Sequence, residues 1–178
     1  DEADHTPYAF FFFFYSKERT PGFGSVAALA GVLVGSLTQK VAGLTVNRKK
    51  YAEVEEQAAA VLAEASDLRE QLTKAIAEDA LAFDAVMEAF RNRDASERER
   101  EAQVQQATIG AAEVPLKVAQ LSHRAAQLAA ELAQIGNINA VTDATAGVLL
   151  AQAAVETAVL NVKINATSVK NRQLVAEW

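Results

Sequence analysis

Apolar side chains recur every three or four residues along most of this chain, starting near residue 25. Charged residues fill the positions between them, so each stretch places its apolar side chains on one face of an α-helix. The longest run carries Val54, Ala58, Val61, Ala65, Leu68, Leu72, Ile76, Phe83, Val86 and Phe90. The pattern predicts four long helices and one short last helix, over residues 25–44, 51–90, 96–135, 140–164 and within 166–178.

The breaks between the predicted helices are short and carry residues that start or end helices. Ser96 is placed to cap the third helix, Gly136 to end it, and Asn137 or Asn139 to cap the fourth. No segment after residue 25 shows the alternation of a strand. We therefore predict an all-α fold, a bundle of long antiparallel helices without a sheet, formed by one domain over residues 20–178.

One face of the first predicted helix has almost no side chain. Ala27, Gly31 and Gly35 are spaced four residues apart and therefore share that face. Such a face lets another helix approach closely, either inside the core of one chain or between two chains. Ordinary core packing is the favoured explanation.

One position interrupts the apolar stripe of the second predicted helix. Asp79 stands where the spacing between Ile76 and Phe83 requires a core residue. A carboxylate on that face costs several kcal/mol unless it is paired or hydrogen-bonded. Two explanations stay open: a buried ion pair with Lys117 or Lys40, or a carboxylate kept for function.

The composition narrows the possible function classes. The chain has 178 residues, of which 51% are hydrophobic and 7% aromatic, a balance that favours closely packed helices. Its net charge of −6 gives no electrostatic support to nucleic-acid binding. There is no cysteine, and His5 and His123 stand alone, so neither thiol chemistry nor a histidine metal site is expected. The apolar run at residues 26–37 is shorter than the roughly 20 residues of a membrane span, and we expect a cytoplasmic protein that does not bind membranes.

A proline and two glycines precede the first predicted helix. Pro21, Gly22 and Gly24 form a tight turn, and Ser25 is expected at the beginning of the helix. Backbone N–H groups there point outward at the positive end of the helix dipole, which suits a carboxylate or phosphate. The turn also resembles the glycine fingerprint of dinucleotide-binding folds. That fingerprint requires a preceding strand and a βαβ unit, and neither is predicted here.

Further polar residues are candidates for a functional site because of where they lie. Asp143 is in the first turn of the fourth helix, where the dipole stabilises a carboxylate. Asn161 and Asn165 are four residues apart, so they either orient a ligand or cap the helix end. Lys117 lies beside the apolar stripe of the third helix. A compact basic cluster in this acidic chain, suited to a polyanionic tail, comprises Arg48, Lys49 and Lys50.

The joint order of these residues resembles a known family. The matching stretches are TPGFGSVAALAG (20–31), LTVNRKKY (44–51), EDALAFDAVM (78–87), AAEVPLKVA (111–119), GNINAVTDA (136–144) and LNVKIN (160–165). In order and spacing they resemble the formimidoyltetrahydrofolate cyclodeaminase and methenyltetrahydrofolate cyclohydrolase family. These all-helical folate enzymes also form the C-terminal domain of formiminotransferase-cyclodeaminase. The resemblance covers about residues 16–178.

The resemblance implies an enzyme of folate one-carbon chemistry. The expected reaction is cyclisation of 5-formimidoyltetrahydrofolate to 5,10-methenyltetrahydrofolate with release of ammonia. The alternative on the same framework is hydrolysis of 5,10-methenyltetrahydrofolate to the 10-formyl compound. Both reactions need proton transfer and charge stabilisation, and we expect no metal and no cofactor besides the folate substrate. A non-enzymatic helical interaction protein is the competing interpretation from another class.

The resemblance also implies roles for the candidate residues. Asp79 and Asp143 would act as acid, base or iminium-stabilising carboxylates, and Lys117 would tune their pKa values or donate to the folate. The basic cluster would meet the glutamate tail of the folate, including the longer tail of a polyglutamylated one. The implied substrate-binding residues are Gly22, Gly24, Ser25, Arg48, Lys49, Lys50, Asn137, Asn161 and Asn165. Family members are dimers or larger assemblies with the site near the subunit interface, so a homodimer or larger homo-oligomer is expected.

Two stretches depart from the family pattern. Phe23 interrupts what is usually a run of glycines, and phenylalanine does not readily adopt the positive φ that glycine permits. This predicts a reshaped turn or a partly filled ligand seat. Residues 1–19 form a separate N-terminal segment, expected to be a short helix, whose five consecutive phenylalanines do not match the family's usual composition.

Overall fold

The computed structural model describes residues 22–178. The short helix expected within residues 1–19 lies outside the described residues. The long helices are α1 (Phe23–Thr45), α2 (Glu55–Arg91), α3 (Glu97–Ile135) and α4 (Val141–Ala166), and the short α5 (Arg172–Glu177) follows. Two 3₁₀ helices, Lys49–Val54 and Ile138–Ala140, precede α2 and α4. Residues 22–178 contain no strand, and the predicted all-α fold is confirmed.

Neighbouring helices run antiparallel, because contacts that move forward along one helix move backward along the next. Between α1 and α2 these contacts are Gly31 with Leu72 and Gly35 with Arg69. Between α2 and α3 they are Glu64 with Arg124 and Glu78 with Lys117. Between α3 and α4 they are Ala111 with Asn165 and Ala129 with Gly147. Helix α1 packs against α2, α3 and α4, while α2 packs on α3 and α3 on α4. The result is the predicted bundle of long antiparallel helices, with α1 in contact with all three of the others.

The core consists of the apolar stripes that the helices turn toward one another. Its largest fully buried apolar side chains are Leu72, Leu128, Leu132, Val34, Val41, Val118 and Val169. Truncating a buried leucine to alanine in such a core costs about 2–5 kcal/mol. The predicted stripe of α2 is buried from Ala58 to Leu72. Beyond that point it opens, and Phe90 at its end is 60% exposed rather than part of the core.

The small-residue face of α1 is buried inside the bundle. A Cβ at Gly31 would approach Ser122 and Leu72, and one at Gly35 would approach Arg69. The favoured explanation, core packing, is therefore confirmed. The alternative use of this face, a close crossing between two chains, is wrong because α2 and α3 of the same chain already cover it.

The helix ends agree with the sequence in most places. Ser96 caps α3 in a capping box with Glu99, and Asn137 caps the second 3₁₀ helix by accepting from the N–H of Asn139 at 3.0 Å. The start of α1 differs from the prediction. The helix begins at Phe23 after Gly22, so Ser25 is not its first residue but a buried residue of its first turn.

Two segments, α1 and Ile138–Ala166, are long and apolar enough to cross a membrane by length and composition alone. In the bundle they pack against each other and against α3. Apolar core helices meet the same criterion, and the expectation that this protein does not bind membranes stays a prediction.

Candidate functional site

Asp79 faces the point where the start of α1 meets the end of α4. The hydroxyl of Ser25 donates to Oδ2 of Asp79 at 2.8 Å and also lies 3.3 Å from the carbonyl oxygen of Ile76. The side-chain amide of Asn161 donates to Oδ1 of Asp79 at 3.3 Å. One carboxyl on α2 is thereby held by a residue of α1 and a residue of α4. In the sequence Ser25 lies 54 positions before Asp79 and Asn161 lies 82 positions after it. Only the packing of the helices brings the three residues together.

Gly24 is required for this close approach. A Cβ at position 24 would overlap the Asp79 carboxyl and the Asn161 amide nitrogen. The backbone of α1 can lie against these side chains only because glycine has no side chain of its own. The glycine of the predicted turn is therefore needed for space, whereas the turn itself has no positive φ.

A second asparagine fixes the orientation of the first. The amide nitrogen of Asn165 lies 2.9 Å from Oδ1 of Asn161, 3.0 Å from the Asn161 carbonyl and 3.1 Å from the carbonyl of Ala111 on α3. Because Oδ1 of Asn161 accepts from Asn165, the NH₂ group of Asn161 is turned toward Asp79. The two residues therefore orient each other and Asp79, and Asn161 is buried. Their predicted role in orienting a ligand stays a prediction.

Burial raises the pKa of Asp79 above its ordinary value of 3.8. Hydrogen bonds from Ser25, through its hydroxyl and its backbone N–H, and from Asn161 lower this pKa and only partly offset the burial. The predicted ion pair of Asp79 is wrong. Lys117 instead pairs with Glu78 at 3.0 Å and Lys40 with Asp143 at 2.8 Å. A carboxyl with a raised pKa is better suited to take up and release a proton than one with an ordinary pKa.

The raised pKa of Asp79 predicts a pH-dependent stability. A carboxyl whose pKa is higher in the folded than in the unfolded chain contributes stability below the unfolded value and loses it as the pH rises through the folded value. Asp79→Asn has no such titration. We therefore expect the free energy of unfolding of the wild type to fall relative to Asp79→Asn as the pH rises from about 3.8 through the folded pKa. Urea unfolding of both proteins across that pH range measures this change. A difference in the free energy of unfolding that stays constant with pH would contradict the raised pKa of Asp79.

A cavity of about 340 Å³ opens beside Asp79, and we call it the inner cavity. Its lining comprises Gly22, Phe23, Gly24, Asp79, Phe83, Val86, Ala111, Asn161, Ile164 and Asn165. Apolar walls with a few converging polar groups are typical of small-molecule sites. Four predicted substrate-binding residues lie here, namely Gly22, Gly24, Asn161 and Asn165, and Ser25 lies behind Asp79.

A larger cavity of about 970 Å³, the outer cavity, adjoins the inner one because both are lined by Val86 and Asn165. Its other lining residues are Phe90, Ser96, Glu97, Arg98, Arg100, Glu101, Val104, Gln105, Thr108, Ser168 and Lys170. The apolar stripe predicted for α2 places Val86 and Phe90 in the core, and no sequence pattern singled out the arginines. A signal for the apolar wall of the cavities was present in the sequence, because Phe83, Val86 and Phe90 follow Asp79 at helical spacing on one face.

Phe23 has an ordinary helical backbone. Asn47, with φ 59°, is the one non-glycine residue with positive φ among residues 22–178, and Phe23 is the first residue of α1. Position 23 therefore requires no positive φ, and the predicted reshaping of the turn stays a prediction. Its side chain is 46% exposed and forms part of the wall of the inner cavity.

The remaining predicted residues lie elsewhere in the chain. Lys117 is on α3, paired with Glu78, the neighbour of Asp79. Asp143 and Asn161 occupy opposite ends of α4, about 27 Å apart at 1.5 Å per residue. The basic cluster, Arg48, Lys49 and Lys50, is exposed just beyond the far end of α1. A single chain therefore holds two separate groups of predicted residues.

Asn137 has a structural role in the second group. Its side chain donates to the carbonyl of Leu44 at 2.9 Å, and its backbone N–H donates to the hydroxyl of Thr45 at 2.9 Å. These bonds tie the connection between α3 and α4 to the end of α1. Within residues 22–178 no cluster of three or more acidic or histidine side chains is arranged to hold a metal ion, and the absence of a metal stays a prediction.

Residues 9–178 match the sequence model of the formiminotransferase-cyclodeaminase family. The chain belongs to that family. Its fold closely resembles the crystal structure of a formiminotetrahydrofolate cyclodeaminase from Thermotoga maritima, with a TM-score of 0.89 and 26% identity over 99% of this chain and 87% of that chain. The family predicted from the six sequence stretches is thus confirmed.

Two curated relatives of this family member carry different names. It is 39% identical to a methenyltetrahydrofolate cyclohydrolase of Methylorubrum extorquens, over 91% of this chain and 79% of the relative. It is 29% identical to the formimidoyltransferase-cyclodeaminase of Mus musculus, over 84% of this chain but only 28% of that longer relative. Both names belong to folate one-carbon enzymes, and they differ in the reaction.

Proposed function

We propose that this protein hydrolyses 5,10-methenyltetrahydrofolate to 10-formyltetrahydrofolate. The observation that carries the proposal is Asp79, a carboxyl of raised pKa at the wall of a small cavity. The choice of hydrolysis rests on the 39% identity to a cyclohydrolase that the chain matches over most of its length. It departs from the cyclodeaminase reaction that we expected from the sequence.

Asp79 transfers the protons in the proposed reaction. As a carboxylate it takes a proton from water while the water oxygen bonds to the methenyl carbon. The tetrahedral adduct then breaks its bond between that carbon and N5, and Asp79 returns the proton to N5. The adduct's hydroxyl loses its proton to solvent as the formyl C=O forms on N10, so the net reaction consumes one water and releases one proton.

Cyclodeamination is the second candidate, favoured by the Thermotoga maritima structure and the Mus musculus relative. There N10 attacks the formimidoyl carbon on N5, and ammonia leaves after accepting a proton. Asp79 would supply that proton from its protonated form, which a raised pKa makes more abundant near neutral pH. The same carboxyl thus serves either reaction. Hydrolysis consumes water, whereas cyclodeamination releases ammonia.

The absorbance of the methenyl compound distinguishes the candidates in one experiment. With 5,10-methenyltetrahydrofolate as substrate, we expect the purified protein to make the methenyl absorbance fall faster than the uncatalysed rate at the same pH. With 5-formimidoyltetrahydrofolate we expect no accelerated gain. A gain with the second substrate alone assigns the cyclodeaminase reaction, and no acceleration with either favours the non-enzymatic interaction protein.

A homodimer is part of this proposal. Three large apolar side chains of α4, Leu149, Leu160 and Ile164, are at least 60% exposed and lie within one face of the helix. A two-fold axis across this face would pair it with itself, as in most homodimers. Light scattering of the purified protein measures the oligomeric state.

Asn165 positions Asn161 in this site and therefore acts on Asp79 indirectly. In Asn165→Ala the side chain of Asn161 loses the hydrogen bond that orients it, and its own hydrogen bond to Asp79 weakens. Because that bond lowers the pKa of Asp79, we expect the acidic limb of the pH–rate profile to move to higher pH. We expect kcat to fall about 10-fold, the effect of one lost hydrogen bond to a charged group.

Asn139→Ala is the matched control for Asn165→Ala. Asn139 is exposed, and its hydrogen bond uses its backbone N–H rather than its side chain. We expect the control to keep both the rate and the pH profile. An Asn165→Ala variant with a lower rate but an unmoved pH profile would limit Asn165 to a structural role.

A further inference from the structure

We propose that the outer cavity binds the glutamate end of the folate substrate, with Arg98 and Arg100 as the partners of its carboxylates. This inference rests on the proposed function. The basic cluster at residues 48–50 was the expected partner of the glutamate tail, yet in the chain it lies beyond the opposite end of α1 from Asp79. The outer cavity instead adjoins the inner one directly through Val86 and Asn165.

The charges of the outer cavity suit an anionic ligand. Three cations line it, and one of them, Lys170, is paired with Glu101. Neither Arg98 nor Arg100 forms an ion pair with any of residues 22–178. Glu97 is the remaining carboxylate of the lining, so the unpaired groups leave an excess of positive charge in a chain whose net charge is −6. Guanidinium groups bind carboxylates with paired, charge-assisted hydrogen bonds.

The distance along α2 from Asp79 to the outer cavity suits the shape of a folate. Asp79 and Phe90 lie on one helix, about 16 Å apart at 1.5 Å per residue. The reacting N10 of a folate is attached to a p-aminobenzoyl ring, and the glutamate follows that ring. With N10 near Asp79, the ring would lie along Val86, Phe90 and Val104, and the carboxylates would reach the arginines at the start of α3.

Ordered hydrogen bonds hold the far wall of the outer cavity in place. The amide of Gln105 donates to the carbonyl of Ser168 at 2.9 Å and accepts from the backbone N–H of Lys170 at 2.8 Å. The segment after α4 is thereby fixed to α3, with Lys170 also paired to Glu101. Two elements of the cavity wall are thus tied together, which favours binding because little ordering of that wall remains to be done.

Two substrates that differ only in the glutamate test the proposal. They are 5,10-methenyltetrahydrofolate and 5,10-methenyltetrahydropteroate, which has the same pterin and p-aminobenzoyl groups but no glutamate. We expect the wild type to prefer the folate in kcat/KM. The double variant Arg98→Gln, Arg100→Gln should lose about 10- to 100-fold of that preference, while its kcat/KM for the pteroate compound stays that of the wild type.

Two control variants make the result specific. Arg93→Gln removes an exposed arginine that does not line the cavity, and Arg48→Gln, Lys49→Gln, Lys50→Gln removes the basic cluster. Both should keep the preference for the folate. The proposal is overturned if the double variant keeps the preference, if the wild type shows none, or if the basic-cluster variant loses it instead.

Failure of the proposed function gives a different result, namely no turnover of either compound by the wild type. Calorimetric binding of 5-formyltetrahydrofolate and its pteroate counterpart then tests the outer cavity independently of turnover. The glutamate should strengthen binding to the wild type and not to the double variant. Equal binding of both compounds to the wild type would overturn the proposal.

Discussion

We expect Asp79→Asn to lower turnover by about 100- to 10,000-fold, the usual contribution of a positioned acid or base, while the bundle stays folded. The variant keeps the shape of the side chain and removes its capacity to carry a proton. Asn161 can still donate to an amide oxygen at position 79, and the Ser25 hydroxyl can turn its hydrogen to the nearby carbonyl of Ile76. Initial rates of methenyl loss, with a thermal melt of the same sample, measure both expectations.

Asp84→Asn is the matched control for this variant. It makes the same chemical change on the same helix, at an exposed residue that lines neither cavity. We expect wild-type rates from it. A rate for Asp79→Asn within a few fold of the control would show that Asp79 does not carry the proton.

Gly24→Ala has the second large effect, on both activity and stability. The new methyl group would overlap the Asp79 carboxyl and the Asn161 amide, so α1 must move or both side chains must leave their positions. Overpacking of this kind costs about 1–3 kcal/mol. Alanine's better helix propensity returns only about 0.5–1 kcal/mol. We expect a net loss of stability in urea unfolding and a loss of activity approaching that of Asp79→Asn.

Gly43→Ala separates crowding from helix propensity. Gly43 is in the same helix and exposed, and a Cβ there meets nothing within 4 Å. This variant should be more stable than the wild type by about 0.5–1 kcal/mol and fully active. Equal behaviour of the two alanine variants would mean that the close approach at Gly24 has no consequence.

The opposite outcomes expected at the two glycines illustrate what a sequence motif can and cannot reveal. Both lie in a helix of small residues, and the local pattern does not tell at which of them a side chain would be crowded. The glycine-rich start of α1 pointed to a ligand seat through free N–H groups and a special backbone conformation. In the structure its glycine matters for a different reason, because it gives two side chains from other helices room to meet.

Charge partners were the least predictable feature of the site. Asp79 was recognised as an exception to its apolar stripe, but its expected ion pair was wrong. Lys117 is one helix away, and a rotation of one residue along α2 gives it Glu78 instead. A difference of one residue turns a helix by about 100°, so the choice between Glu78 and Asp79 depends on how α2 and α3 are rotated against each other.

By itself the sequence determined the helices, most of their ends, the exceptional character of Asp79 and the family. These follow from the spacing of apolar residues and from capping, which act over a few neighbouring positions, and from the order of six short stretches. The tertiary structure decided which residues meet: Ser25, Asn161 and Asp79 at one end of the bundle, and Asp143 and the basic cluster toward the other. The rotation and depth of packing of each helix fix these contacts, and they depend on the fit of all four helices at once.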